Sequence, residues 1–271
     1  MARYPGHLLR AWTMGLLFML SACATVPVTG RKSLHILPDS QLVSMSLDQY
    51  NTVLKKSKLS NDPEKVQMVK RVGERIAKAT EDFFREQGMD SEISNYKWEF
   101  NLIEDDKTVN AWCMPGGKVA VYTGILPVTE DDTGLAVVMG HEIAHAIAKH
   151  GNERMSQGLL AQLGAVGLST ALSTHPGPTN QIFMAAYGAG ANVGFLLPYS
   201  RLQESEADHI GLILMAKAGY DPRQAIPFWQ RMNKKGGKRP PEYLSTHPAP
   251  ETRINVIQAK IPEAMRYYEG R

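Results

Sequence analysis

A short motif, His141-Glu142-x-x-His145, constrains this chain more than any other part of its sequence. On a helix, residues four apart lie one above the other on the same face, so both imidazoles can reach one metal ion. The glutamate between them points toward the same ion without having to bind it. Its carboxylate is then free to take a proton from an attacking water, as metal-assisted hydrolysis requires.

The residues before the motif predict the helix that it needs. Asp131, Asp132 and Thr133 precede an apolar run over 135–139, and such side chains start helices and complement the helix dipole. We therefore predict a helix over roughly 130–150. The less specific alternative is a helix that contains two histidines by chance, and a third ligand on another segment would decide against it.

A catalytic zinc ion usually takes three protein ligands and keeps its fourth position for water. The candidate third ligand is Glu204, and Asp208 lies four residues further along the chain. On a helix these two side chains share a face, so Glu204 would bind the metal while Asp208 fixes the tautomer of a ligand histidine. Glu206 points elsewhere on such a helix, and we expect it to be solvated or salt-bridged.

Four separate motifs follow one another between residues 109 and 254. They are Val109-Asn110-Ala111-Trp112-Cys113-Met114-Pro115-Gly116-Gly117-Lys118-Val119-Ala120-Val121-Tyr122-Thr123-Gly124, His141-Glu142-x-x-His145, Ser200-Arg201-x-x-Glu204-x-Glu206-Ala207-Asp208, and Ser245-x-His247-Pro248 ahead of Arg253-Ile254. In this order they resemble the M48 family of zinc metallopeptidases, which includes the CAAX prenyl protease and bacterial periplasmic quality-control proteases. The membrane-embedded members carry several transmembrane helices, and the sequence of this chain does not indicate them. The chain therefore resembles the soluble periplasmic lipoprotein branch.

The resemblance implies that His141, His145 and Glu204 bind one Zn²⁺ ion per chain and that Glu142 is the catalytic base. Asp208 falls at the family's position behind the ligands. The implied fold is a mostly helical, zincin-like (gluzincin) α+β domain with a small β-sheet beside the histidine helix. The implied activity is that of a zinc-dependent metalloendopeptidase.

A further catalytic candidate is His247, with Arg253 as a weaker one. Either side chain could donate to the negative charge that develops on a scissile carbonyl oxygen. His247 could instead bind the metal in the fourth position and hold the enzyme inactive. Leu-Ser-Thr-His-Pro occurs both at 172–176 and at 244–248, so the sequence leaves open which histidine approaches the metal.

Strand patterns lie before a mostly helical remainder, which suggests an α+β fold. Spaced apolar residues predict a helix over about 63–87, and Lys118, Val119, Ala120 and Val121 form a predicted strand after a Gly-Gly turn. In gluzincin-type proteases a sheet-edge strand beside the histidine helix holds the substrate by main-chain pairing. These four residues are the candidate for that role, and an interior core strand is the equally supported alternative.

The N-terminus predicts where the protein works. A basic start precedes the apolar stretch 11–20, which is too short to span a bilayer and is typical of a signal peptide. Leu20-Ser21-Ala22-Cys23 resembles a bacterial lipobox, so we expect 1–22 to be a lipoprotein signal peptide and Cys23 to be acylated. The alternative is an ordinary secretory signal that is cleaved nearby.

The mature chain would keep residues 23–271, which is 249 of the 271 residues. We expect a lipidated tether over 23–36 and one M48-like metallopeptidase domain over 37–271. Ala24 follows the lipobox cysteine where inner-membrane lipoproteins of enteric bacteria carry aspartate. Acyl chains would therefore hold the protein on the lipid bilayer at the periplasmic face of the bacterial outer membrane.

Composition narrows the possible partners. The formal net charge is only +3, with scattered basic residues, so nothing favours nucleic-acid binding. Cys113 is the only cysteine besides Cys23, and after acylation it would have no disulfide partner. We expect it to fill the core rather than to act as a thiol near the active site.

The predicted substrates are misfolded or stalled envelope proteins, including outer-membrane proteins during assembly, which follows from the family resemblance alone. A zinc-binding periplasmic chaperone or assembly factor with little proteolysis is the main alternative, but it would not need Glu142. A structural zinc site would have four closed ligands, usually with cysteines. An exopeptidase for small peptides stays open.

Overall fold

The computed structural model describes residues 23–160, 200–235, 241–247 and 253–269. The predicted signal peptide, 1–22, and the first Leu-Ser-Thr-His-Pro, 172–176, lie outside the described residues. Within the described residues, the chain forms ten α-helices and two small sheets. The helices are α1 (Asp39–Lys56), α2 (Pro63–Glu86), α3 (Asp90–Ile93), α4 (Leu126–Thr129), α5 (Asp132–Ile147), α6 (150–160), α7 (Arg201–Lys217), α8 (Ala225–Lys235), α9 (Glu242–Thr246) and α10 (Arg253–Ala264).

Side-chain caps begin the two helices that the sequence predicts. Asp62 accepts hydrogen bonds from the backbone N–H groups of residues 64 and 65, and Pro63 occupies the first turn of α2. Asp131 accepts from the N–H of Gly134 at the start of α5. The predicted helices over 63–87 and 130–150 are thereby confirmed, each to within a few residues.

Three strands form one sheet, in the order β3 (Glu99–Ile103), β5 (Lys118–Tyr122), β4 (Ala111–Met114). β5 runs parallel to β3 and antiparallel to β4. Gly116 and Gly117 both have positive φ in the turn that joins β4 to β5, a conformation that favours glycine. β4 is the strand that packs against α5.

The prediction that Lys118, Val119, Ala120 and Val121 form a substrate-binding sheet edge is wrong. These residues belong to β5, which is paired with a neighbouring strand on each side. Its main-chain donors and acceptors are therefore already used within the sheet. Val119, Ala120 and Val121 are fully buried, so the alternative of an interior core strand is confirmed.

Two glycines let α5 and α7 cross at close range. A Cβ added to Gly140 would lie 2.9 Å from the carbonyl oxygen of Gly211, and one added to Gly211 would lie 2.9 Å from the carbonyl carbon of Gly140. Larger side chains at either position would separate the helices. α5 is buried along its length from Gly134, as expected of a central helix that is apolar on every side.

The residues predicted as a tether, 23–36, instead form a docked hairpin. β1 (Cys23–Thr25) pairs antiparallel with β2 (Lys32–Leu34), and Val26 between them is buried in the main core at 1 % exposure. Arg31 forms ion pairs with α6 and α7. The segment is too short and too irregular in its apolar pattern for the sequence to have revealed this docking.

These elements confirm the α+β, zincin-like fold, mostly helical with a small sheet beside the histidine helix. No helix among the described residues combines the length and the apolar character that crossing a membrane requires.

Candidate metal centre

α5 brings both histidines of the motif to one buried point. His141 and His145 are each 2 % exposed, and their Nε2 atoms are 3.1 Å apart. The helical repeat explains this placement, since residues four apart share a face. Two ring nitrogens therefore converge on one small volume inside the protein.

Glu204 approaches the same volume from the first turn of α7. Ser200 begins that helix in a capping box, in which its hydroxyl accepts from the N–H of Gln203 while its own N–H donates to the Gln203 side chain. One residue later, Oε1 of Glu204 lies 3.3 Å from Nε2 of His145, and Oε2 lies 3.4 Å from Nε2 of His141.

His247 follows α9 and completes the group. Its Nδ1 lies 3.0 Å from Oε1 of Glu204 and 3.3 Å from Nε2 of His141. One ligand atom from each of His141, His145, Glu204 and His247 lies within 4.8 Å of the other three, and all four residues are buried.

The separations between these atoms fit zinc. Ligands at about 2.0–2.2 Å from a tetrahedral zinc ion are roughly 3.3 Å from one another. Five separations among these atoms, which involve both oxygens of Glu204, run from 3.0 to 3.4 Å. Converging lone pairs and a buried carboxylate are costly without compensation, so the donor set favours a cation at its centre.

Asp208 and Arg253 lie behind this group. Oδ1 of Asp208 is 2.9 Å from Nδ1 of His141, which leaves Nε2 of that ring free to bind metal. Arg253 donates to both oxygens of Asp208 at 2.7 and 2.8 Å, and its Nη1 lies 2.9 Å from Oε2 of Glu204. Because two carboxylates engage this guanidinium, the structure does not support Arg253 as a donor to a substrate.

Comparison with known protein families shows where this group of residues comes from. The model for peptidase family M48 matches residues 64–261. The chain belongs to peptidase family M48. The matched range covers the described part of the sheet, α5, α7 and the His247 segment, so it includes every residue of the four-residue group.

Curated relatives within the M48 family come from two settings. The mitochondrial metalloendopeptidase OMA1 of Schizosaccharomyces pombe is 40 % identical over 176 residues, which are 64 % of this chain and 50 % of that protein. The human OMA1 metalloendopeptidase is 31 % identical over 95 % of this chain and 50 % of its own length. The β-barrel assembly-enhancing protease of Escherichia coli is 29 % identical over 85 % of this chain and 46 % of its own length. The chain thus spans about half the length of these three relatives.

Membership in the M48 family and the geometry of the site together confirm zinc as the cofactor. M48 metallopeptidases use zinc, and the His-His-Glu-His group is positioned to hold one ion per chain. No other group of three or more such side chains within the described residues meets the same distance criterion.

Glu142 and Glu204 are both buried in this M48 centre, but their pKa values move in opposite directions. Burial raises the pKa of Glu142, although the nearby charges of His247 and His141 oppose the rise. Burial would also raise the pKa of Glu204, but His247, Arg253 and His141 outweigh it and hold that pKa well below its usual range. Glu204 is therefore held ionised, whereas Glu142 is closer to accepting a proton.

Tyr243 is a site residue that the sequence did not indicate. Its ring stacks on His247, with centroids 4.6 Å apart and planes 25° apart, and it is fully buried. Its phenol also interacts with Glu142, whose negative charge raises the Tyr243 pKa further above the value that burial imposes. One tyrosine in the five-residue helix α9 has no periodic neighbours that could have drawn attention to it.

Cys113 lies outside this group. Cys113 is a free thiol in β4 with 6 % exposure, and burial raises its pKa well above the ordinary value. The prediction that it fills the core is confirmed. Cys23 is the first residue of β1, and its acylation stays a prediction.

Proposed function

We propose that this protein is a zinc-dependent metalloendopeptidase. The observation that carries the proposal is the placement of Glu142, a buried carboxylate with a raised pKa that lies next to a zinc-type donor set. A protein that only bound or carried zinc would gain nothing from an acid–base group at this position. We assign His141, His145 and Glu204 as metal ligands and Glu142 as the catalytic base.

Zinc, when bound, supplies Lewis acidity, which lowers the pKa of a nearby water and polarises a carbonyl group. Glu142 accepts the proton of the attacking water at its carboxylate and passes it to the leaving amine. The direction of its pKa shift suits this double task, because the carboxylate must hold the proton between taking it and giving it away. Asp208 keeps His141 in the tautomer that binds metal.

His247 has two possible roles, and the contacts of its ring favour one of them for this conformation. Nδ1 lies among the ligand atoms, 3.0 Å from Oε1 of Glu204, while Nε2 lies 3.4 Å from Oε1 of Glu142. In this position His247 occupies the place that a catalytic centre keeps for water. Donation to a substrate oxyanion would require the ring to leave that place, so both roles fit one protein in two conformations.

The peptide substrate would pair with β4 rather than with β5. Among the described residues β4 has one strand neighbour, and it packs directly against α5. An extended peptide added to the other side of β4 would pass the metal centre with its main chain fixed. This proposal transfers the role predicted for residues 118–121 to Ala111–Met114.

The proposed substrates are misfolded or stalled proteins of the bacterial envelope, and the proposed location is the periplasmic face of the outer membrane. The Leu20-Ser21-Ala22-Cys23 run supports lipid anchoring through Cys23. The similarity to a β-barrel assembly-enhancing protease supports an envelope role. The mitochondrial relatives are metalloendopeptidases as well, which is consistent with the same type of peptide hydrolysis in another compartment.

Digestion of an unfolded outer-membrane porin tests the activity. The wild type should produce internal fragments that mass spectrometry can order along the substrate, and Glu142→Gln should produce none. Ladders shortened only from one terminus would identify an exopeptidase instead. Suppressed aggregation of the porin without any fragments, in both proteins, would identify the chaperone alternative.

Acyl labelling tests the location. The wild type, expressed in a bacterium with radiolabelled palmitate, should carry label and sediment with outer membranes. Cys23→Ser should lose both properties. Label that persists in Cys23→Ser would show that the lipobox interpretation is wrong.

A further inference from the structure

A buried polar chain leads from the metal centre to the N-terminal hairpin. Nδ1 of His145 lies 2.8 Å from Nδ1 of His150, and Nε2 of His150 lies 3.3 Å from Oε2 of Glu206. His150 is fully buried and Glu206 is 5 % exposed. Both act behind the ligands, since neither belongs to the group of converging ligand atoms.

Arg31 in the hairpin closes this chain. Its Nε donates to Oε2 of Glu206 at 2.7 Å, and its two terminal nitrogens donate to the two oxygens of Glu153 at 2.7 and 2.8 Å. Thr29, in the same hairpin, also donates to Glu206. One guanidinium thus joins α6 and α7 from outside, and such bidentate pairs fix geometry as well as charge. Arg31, Glu153, Glu206 and His150 are called the Arg31 network below.

The direction of the hydrogen bonds follows from the metal site. This step rests on the proposed function, because it takes His145 as a ligand through Nε2. Its proton then lies on Nδ1 and is donated to Nδ1 of His150, so the proton of His150 lies on Nε2 and is donated to Glu206. All four ring nitrogens of His145 and His150 then have a suitable partner, which is the metal ion for Nε2 of His145 and a hydrogen bond for each of the other three.

The arrangement parallels that of the other ligand histidine. His141 is held by Asp208, and Asp208 is held by Arg253. His145 is held by His150, Glu206 and Arg31 in the same sequence of roles, with one imidazole inserted. Hydrogen-bond partners behind a ligand orient it and raise its basicity, and losing one typically weakens metal binding about 10- to 100-fold.

We propose that the N-terminal hairpin is a positioning element of the metal centre, which acts on His145 through the Arg31 network. Arg31 is then a positioning residue, about which the M48 motif residues carry no information. Removing its charge should loosen His145 and weaken zinc binding, although Arg31 touches no ligand.

Lys149 provides a matched control next to the network. Its Nζ lies 2.7 Å from Asp39 and 2.6 Å from Glu92, so it also joins two distant helices to the segment after α5. Neither of these two carboxylates belongs to the Arg31 network. Lys149→Met and Arg31→Met each remove one cation that bridges two carboxylates while keeping an unbranched side chain. A purely structural role predicts the same result for both.

The test measures zinc affinity of the full chain by competition with a chromophoric chelator, together with the visible spectrum after cobalt substitution. Arg31→Met should weaken zinc binding about 10-fold or more and alter the cobalt spectrum, whereas Lys149→Met should do neither. Arg31→Lys, which keeps the charge but cannot serve both carboxylates with the same geometry, should fall between Arg31→Met and the wild type. If Arg31→Met does not fold, Arg31→Lys is the variant that tests the proposal.

His145→Ala separates the two levels of the argument. Loss of zinc binding in His145→Ala, with unchanged affinity in both Arg31 variants, would overturn the positioning role and leave the proposed function intact. Equal weakening in Arg31→Met and Lys149→Met would overturn it as well. Unchanged zinc affinity in His145→Ala would show that the ligand assignment itself is wrong, and the positioning role would fall with it.

Discussion

At the scale of single residues, environment rather than residue type assigns the roles of the two carboxylates. Glu142 and Glu204 are both buried within a few ångströms of the same histidines, yet only Glu204 has Arg253 next to it. That guanidinium, with the histidines, holds the pKa of Glu204 low, while burial raises the pKa of Glu142. Separated pKa values are what acid–base chemistry needs from two neighbouring acids.

His247→Ala should raise basal cleavage of an unfolded substrate severalfold. In the described conformation the His247 ring occupies the fourth ligand position, 3.0 Å from Oε1 of Glu204, and its removal opens that position to water. The measurement is the initial rate on casein for equally zinc-loaded proteins. A lower rate in the variant would mean that His247 serves as a donor to the reacting carbonyl and does not restrain the resting enzyme.

At the scale of helices, the crossing of α5 and α7 sets the distance between the histidines and Glu204. Gly211→Ala should destabilise the fold by about 1–3 kcal/mol and weaken zinc binding. The added methyl group would lie 2.9 Å from the backbone nitrogen of His141, so the helices must separate at the metal centre. Urea unfolding and chelator competition measure the two effects.

Gly73→Ala is the control for this helix contact. The three atoms nearest its added methyl group all belong to the ring of Phe100, which lies in β3 and not in α5 or α7. It should lower stability and leave zinc affinity unchanged. If Gly211→Ala bound zinc as tightly as the wild type, the glycine contact would not be what sets the geometry of the centre.

The helices could be predicted from local sequence signals, but the order of the strands could not, because it depends on pairing between distant segments. Asp62 and Asp131 cap their helices through contacts within three residues, so the sequence shows where α2 and α5 begin. The central place of β5 depends on pairing with two separate segments, which no window of sequence contains. The sequence did not indicate His150 for a different reason. It follows a turn in which Lys149 has a φ of 56°, so it does not continue the helical spacing of the two motif histidines.

At the scale of the whole molecule, the docked hairpin should make stability depend on pH. Burial and the charge of Lys149 lower the pKa of His35, at the end of the hairpin, to about 4, while Asp39 and Glu153 act in the opposite sense. An unfolded histidine has a pKa of about 6.5, so the unfolded chain binds more protons between these values. This contribution is complete above pH 6.5 and is lost as the pH falls toward 4.

His35→Gln should therefore flatten the acid side of the stability curve. The free energy of unfolding should fall less steeply between pH 6.5 and 4.5, by up to about 1.4 kcal/mol per pH unit relative to the wild type. Urea denaturation at several pH values measures this difference, and other groups that titrate cancel in the comparison. Parallel curves for the two proteins would show that His35 is not protected from protonation in the folded chain.

The central claim is that one buried group of residues binds zinc and that Glu142 performs proton transfer beside it. Zinc per chain and casein turnover, measured on the same preparations of wild type, Glu142→Gln and Glu204→Ala, test it most directly. We expect one zinc ion per chain in the wild type and in Glu142→Gln, a loss of turnover of about 100-fold or more in Glu142→Gln, and loss of both zinc and turnover in Glu204→Ala. Full turnover in Glu142→Gln, or full zinc content in Glu204→Ala, would contradict the account.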